Sequence, residues 1–148
     1  MISPEFLGHF AGFTGADEAV LKKIAMVSEE RHVPQGEFLF HEGQPADELY
    51  FILKGGIDLK TVVGNGERVI VDNLVGGDLV AWSAVVEPHK LSLDGFARKN
   101  TDVIAIDAAE LRELLVQHPD FGFRFMSAVA QTVSQRLVGA RLQLTARS

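Results

Sequence analysis

The run from Val33 to Val71 restricts the possible folds of this chain more than any other stretch. Short apolar segments alternate with turn clusters. Pro34-Gln35-Gly36 precedes Phe38-Leu39-Phe40, and the cluster His41 to Asp47 precedes Leu49-Tyr50-Phe51-Ile52-Leu53. Gly55-Gly56 leads into Ile57 to Val63, and Gly64-Asn65-Gly66 turns the chain back into Val69-Ile70-Val71. Apolar runs of this length between Gly- and Pro-bearing turns predict strands joined by hairpins. The expected fold class is therefore mainly β with flanking helices, its strands forming an antiparallel sandwich, barrel or roll.

Helical patterns flank that region. Residues 1–25 carry Phe6, Phe10 and Phe13 in a Gly-punctuated segment expected to pack on the body. Thr14 or Asp17 is placed to cap a helix over Ala19 to Ala25, with Val20, Leu21 and Ile24 on one face. After a last strand, Thr101 to Ile106, Asp107 caps a helix from Ala108 to His118, and Pro119-Asp120 starts another. The expected organisation is one domain, with a helical segment at 1–25, the β region at 26–107 and C-terminal helices at 108–148.

The final helix, Phe121 to about Thr145, places Met126, Val129, Val133, Leu137, Ala140 and Leu144 at steps of three and four. That is the seam of a helix packed lengthwise on another helix. At 1.5 Å per residue it would run roughly 37 Å, longer than a small roll can cover. Pairing with the same helix of a second chain, a homodimer, is the expectation; the alternative is a seam packed on its own body.

Val75 to Ala97 is the stretch on which function is expected to centre. Gly76-Gly77-Asp78 leads into the apolar turn Val80 to Val86. The polar break Glu87-Pro88-His89-Lys90 follows, and then an alternating segment from Leu91 to Phe96. Glycine lets backbone N–H groups approach a ligand closely, and a helical first turn aims further donors at it. Such a stretch suits an anion or a sugar phosphate.

Composition narrows the classes. The formal charge of -6 and pI near 5.3 argue against binding nucleic acid or anionic membranes through basic surface. With no cysteine there is no disulfide and no thiolate metal site, which fits a reducing cytoplasm. No apolar run suits a membrane span and the N-terminus lacks signal-peptide features, so a cytoplasmic location is expected.

Phe38 to Gly55, Leu74-Val75-Gly76-Gly77-Asp78-Leu79-Val80, Asp102 to Asp107 and the two C-terminal helices together resemble the cyclic-nucleotide-binding domain. This is the β-roll effector domain of the catabolite activator protein and FNR group, also found in regulatory subunits and channels. The resemblance implies a jelly-roll-like β-roll that binds a small effector, cyclic AMP or cyclic GMP, and signals through its long helix or dimer. It also implies a phosphate-binding cassette at Gly76, Gly77, Val80, Ala81, Trp82, Ser83, Leu91 and Ser92. Backbone N–H groups at Ala81 to Ser83 would hold an anionic group. Thr132 and Arg136 are the polar residues of the long helix able to turn toward a ligand.

Two departures from the family pattern stand out. The family's cassette glycine falls at Ala81, and the Glu that accepts from the ribose hydroxyl falls at Trp82. The Arg that pairs with the cyclic phosphate falls at Leu91 or Ser92. A phosphate in a partly dry pocket without a cation keeps its desolvation cost. Lys90 is the nearest cation, but one residue off register on a strand is the opposite face. Trp82 either stacks on a flat ligand or fills the space a nucleotide would take. The pocket is more apolar than the family's, which favours a different ligand, or none, over ordinary cyclic AMP.

Other chemistry finds little support. The histidines His9, His32, His41, His89 and His118 lack metal spacing. Some proteins of this fold bind haem, and His89 or His41 is then the candidate axial ligand. Ser83 lies in no G-x-S-x-G elbow and Asp78 reads as a turn residue, so no enzyme is expected. In the family's transcription factors a winged helix-turn-helix follows the long helix. Here Ser148 follows that helix directly, and specific DNA binding is not expected. The leading expectation is a stand-alone dimeric sensor. The alternatives are a ligand-free dimeric interaction module and a sensor of haem or an aromatic ligand, with the output protein unknown.

Overall fold

The computed structural model describes residues 2–147, with side chains described for 2–139. The elements in chain order are α1 (Pro4–Leu7), α2 (Glu18–Met26), β1 (Ser28–Val33), β2 (Phe38–Phe40), β3 (Glu48–Lys54), β4 (Gly56–Val62) and β5 (Arg68–Val75). They continue with β6 (Leu79–Val80), a 3-10 turn (Trp82–Val85), β7 (Asp94–Ala97), β8 (Thr101–Asp107), α3 (Ala108–Gln117) and α4 (Pro119–Arg147). Among the described residues two four-stranded antiparallel sheets form, ordered β1-β8-β3-β6 and β2-β7-β4-β5. Phe40 of β2 and Tyr50 of β3 stack between the sheets at 5.9 Å, with Ile52, Ile57, Leu59 and Val80 also buried. Leu49, Phe51, Ile104 and Ile106 are buried on the other face of β3 and β8, where Phe51 meets the N-terminal segment. This is a β-roll with helices packed on it, as the turn-punctuated pattern predicts.

Local chemistry explains the boundaries. Asp107 caps α3, its carboxylate accepting from Glu110 N at 2.9 Å. Asp17 occupies the α2 N-cap without a side-chain bond, and Thr14 Oγ1 instead donates to Gly8 O and Phe10 O. β1 carries no apolar strand signal in the sequence. Its charged residues, Glu29, Glu30 and Arg31, hide the alternation, and its pairing with β8 is formed with residues some seventy positions away.

An aromatic cluster ties the N-terminal segment to the roll and to α4. Phe10 and Phe13 lie 4.7 and 5.3 Å from Phe51 of β3, and Phe13 stacks on Phe125 of α4 at 5.3 Å. Where α3 meets α4 the backbones touch. A Cβ on Gly122 would sit 2.4 Å from Leu115 O, so only glycine permits this crossing.

The α4 seam differs from the expectation. Val129 is 2% exposed, and Met126 and Val133 pack partly buried against the same core. These residues are therefore occupied within the chain, because the roll presents an apolar surface that this stripe covers. Leu137 is exposed, while Ala140 and Leu144 lie outside the residues whose side chains are described.

Candidate functional site

The stretch after β6 forms the mouth of the roll. Gly76-Gly77-Asp78 is a tight turn between β5 and β6. Gly77 takes φ +91, its N–H donates to Ile52 O at 2.7 Å, and Asp78 Oδ2 accepts from Val75 N at 2.9 Å. The Gly77 amide thus serves the sheet. Val80 is fully buried in β6, paired with Tyr50 of β3. Ala81 then adopts the left-handed region, φ 66 and ψ 49, and the 3-10 turn begins at Trp82. An alanine there costs roughly 1–2 kcal/mol relative to a right-handed conformation. The backbone keeps the shape that glycine adopts freely, although the residue is not glycine.

Ala81, Trp82, Ser83, Leu91 and Ser92 come together around one cavity, with Phe40, Leu59 and Leu93 closing it and Arg136 of α4 in its wall. Strand alternation on β2 and β4 was the sequence signal for Phe40 and Leu59. The cavity is about 20 Å³, room for roughly one water. Gly76, Val80 and Lys90 do not line it. Lys90 is exposed in a loop bridged to Pro45. His41 follows β2, its ring tilted against that of Phe38 at 4.6 Å and 3.8 Å from Asp94, and His89 sits at φ 58 in the loop; neither lines the cavity.

A second cleft of about 360 Å³ lies beside the first, between β5, the Gly-Gly-Asp turn and α4. Gly77, Asp72, Asp78, Thr132 and Gln135 line it, and Arg136 lines it as well. Thr132 Oγ1 is committed to Ala128 O at 3.0 Å within the helix.

Arg136 is the polar residue common to both spaces. Its Nη2 donates to Leu79 O, and its Nε lies 3.7 Å from Asp72 Oδ2. Its Nη1 is buried without a hydrogen-bond partner, alone in this among the described side chains. Burial pulls the guanidinium below its ordinary value, while Asp72 and Asp78 push it back up. A buried donor left unanswered is unfavourable, and a charged one more so.

The mouth is also tied to the helices from behind. Arg112 of α3 donates through Nη1 to Ala84 O of the 3-10 turn at 2.7 Å. Nothing local in the sequence marks Arg112 for this, since the contact joins an exposed-looking helix position to a turn twenty-eight residues away. Arg112 thus ties the turn to α3, which crosses α4 closely at Gly122.

Known proteins share this architecture and much of the sequence. The family model described as the cyclic nucleotide-binding domain matches residues 30–118. The rat voltage-gated inwardly rectifying potassium channel KCNH6 is 31% identical over 143 residues, covering 95% of this chain and 14% of the channel. The chain thus spans about a seventh of that relative's length. The crystal structure of a putative cyclic nucleotide-binding protein from Geobacter metallireducens superposes with a TM-score of 0.82 at 33% identity, covering 93% of this chain and 99% of that one. The regulatory domain of Toxoplasma gondii PKA, in a co-crystal structure with cAMP, shares the fold with a TM-score of 0.68 at 17% identity, over 75% of this chain and 42% of that one. The β-roll, the position of its mouth and these matches agree, and the chain belongs to the cyclic nucleotide-binding domain family.

Proposed function

We propose that this chain is a regulatory domain that takes a small effector at the mouth of its β-roll and reports occupancy through α4. The observation that carries this is the position of Arg136: a residue of the long helix forms part of the wall of the cavity that the cassette residues enclose. A cavity of about 20 Å³ cannot admit a nucleotide, since small-molecule sites run to roughly 300 Å³ or more. Entry of an effector must displace α4, Trp82 or both. Occupancy and helix position are then coupled, because the effector binds the two arrangements unequally. The link from Arg112 to Ala84 O supplies a second route from the mouth to the helices.

Two-fold pairing through α4 belongs to the same proposal, on another face than the sequence suggested. Phe123, Ser127, Ala130, Ser134 and Leu137 follow steps of four and three along the exposed side, with Phe123 77% and Leu137 61% exposed. Small residues at its middle let two helices approach closely, and no charge interrupts the stripe. A second copy is the occupant that self-complementarity favours. Light scattering should show a dimer in the wild type and a monomer after Phe123→Glu with Leu137→Glu; a wild-type monomer removes this part.

A ligand-free interaction module is the competing role, favoured by the small closed cavity. Thermal-shift titration with cyclic AMP and cyclic GMP, read alongside the emission of Trp82, the chain's one tryptophan, separates the two. A ligand at one hundred times its dissociation constant adds about 2.7 kcal/mol of stability. A saturable shift with altered Trp82 emission supports effector binding. Absence of any shift with either nucleotide favours the module.

A further inference from the structure

Within the effector-binding role proposed above, one feature of the mouth is chemically incomplete. Ala81, Trp82, Leu91 and Leu93 surround the cavity with apolar atoms, and the side chains that line it beside Arg136 include only two polar ones, Ser83 and Ser92. No cation comes from the cassette segment, since Lys90 is exposed and does not line the cavity. Among the described residues, the one cation in the wall comes from elsewhere in the chain, on α4. It keeps a buried nitrogen without an acceptor.

We propose that Arg136 is the counter-charge for an anionic group, a phosphate, carried by the effector, so that the helix rather than the cassette supplies the cation. Three observations support this. The unanswered Nη1 is a donor that gains a full hydrogen bond only when an acceptor arrives. A guanidinium can hold a phosphate through two nitrogens at once, and Ser83 and Ser92 add hydroxyl donors on the facing wall. The guanidinium also has little else to hold it. One backbone carbonyl accepts from Nη2, and Asp72, itself about one-third exposed, lies 3.7 Å from Nε. Anion capture would pull on Arg136 itself, and the signal would begin on the element that carries it onward.

Asp72 and Asp78 set the limit. An arriving phosphate competes with Asp72 for the guanidinium and meets repulsion from both carboxylates. Neutralising Asp72 should therefore strengthen binding while removing Arg136 weakens it, a pair of opposite signs that a purely structural Arg136 does not produce.

The test uses cyclic AMP, adenosine and inorganic phosphate as probes, titrated by calorimetry into the wild type, Arg136→Gln, Arg136→Lys and Asp72→Asn. Near-ultraviolet circular dichroism controls for folding. The expected result is cyclic AMP binding weakened at least about tenfold in Arg136→Gln, partly restored in Arg136→Lys and tightened in Asp72→Asn. Adenosine, which lacks the phosphate, should bind wild type and Arg136→Gln alike. Should Arg136→Gln not fold, the test rests on Arg136→Lys weakening and Asp72→Asn tightening cyclic AMP binding relative to the wild type. Equal cyclic AMP affinity in wild type and Arg136→Gln overturns the role of Arg136 and leaves effector binding standing. Inorganic phosphate binding that depends on Arg136, without cyclic AMP binding, keeps the anion site and removes the cyclic-nucleotide effector. No binding of either probe to the wild type overturns both.

Discussion

Two partly buried guanidinium groups that both reach β5 are held on different terms. Arg98, beside the turn that joins β7 to β8, donates to Asp58 Oδ1 at 2.9 Å and to Leu74 O at 3.0 Å. Asn73 Nδ2 donates to the same Asp58 oxygen at 2.6 Å, and Asp58 is buried in the sheet. Gly56 leaves room for the group, since a Cβ there would fall 2.3 Å from Arg98. Arg136 has one carbonyl, one distant carboxylate and an unanswered nitrogen. The first arrangement is complete within the chain and holds three strands together. The second is incomplete, and an incomplete buried cation is one that a ligand can finish. Burial alone does not distinguish a structural charge from an available one; the tally of acceptors does.

The largest expected effect comes from breaking the complete arrangement. Arg98→Met should cost about 3–5 kcal/mol in denaturant unfolding, because it leaves the Asp58 carboxylate buried without its partner. Arg136→Met keeps the aliphatic packing and removes an incompletely paired charge, and it should change stability by no more than about 1 kcal/mol in either direction. Equal losses for the two would abolish the contrast.

Arg31 tests the same idea at an intermediate exposure. Glu48 accepts from both of its terminal nitrogens, at 2.6 and 2.7 Å, and also from Tyr50 OH at 2.9 Å. Those bonds hold the Glu48 carboxyl below its ordinary value, with the Arg31 hydrogen bond the leading cause. Its contribution is therefore present above pH 4.5, its ordinary value, and is lost as pH falls through the lower folded value. Glu48→Gln should cost roughly 1 kcal/mol at neutral pH and flatten the acid limb of a stability profile. An acid limb unchanged by the substitution would show that the pair contributes nothing.

Ala81→Gly is the smallest change and sharpens the reading of the mouth. Relief of the left-handed alanine should stabilise by up to about 1 kcal/mol in thermal unfolding, offset in part by the freer unfolded chain. A loss of stability would mean that the Ala81 methyl packs better than the strain costs.

The sequence by itself determined what is local. Glycine and proline clusters marked the hairpins, Asp107 marked a helix start, and apolar runs between turns marked β3 and β4, because turn geometry and capping depend on neighbours a few residues apart. The absence of a cassette cation was legible for the same reason, as Leu91 and Ser92 stand within a short segment. Tertiary structure decided the rest. It paired the charged β1 with β8, turned Met126, Val129 and Val133 of α4 onto the roll, and left Phe123 and Leu137 outside. It answered Arg98 with Asp58 and Leu74, and left Arg136 short of an acceptor. Each of these depends on which distant residues arrive at the same place, and an α-helix with apolar residues on more than one face does not declare which face the body will take.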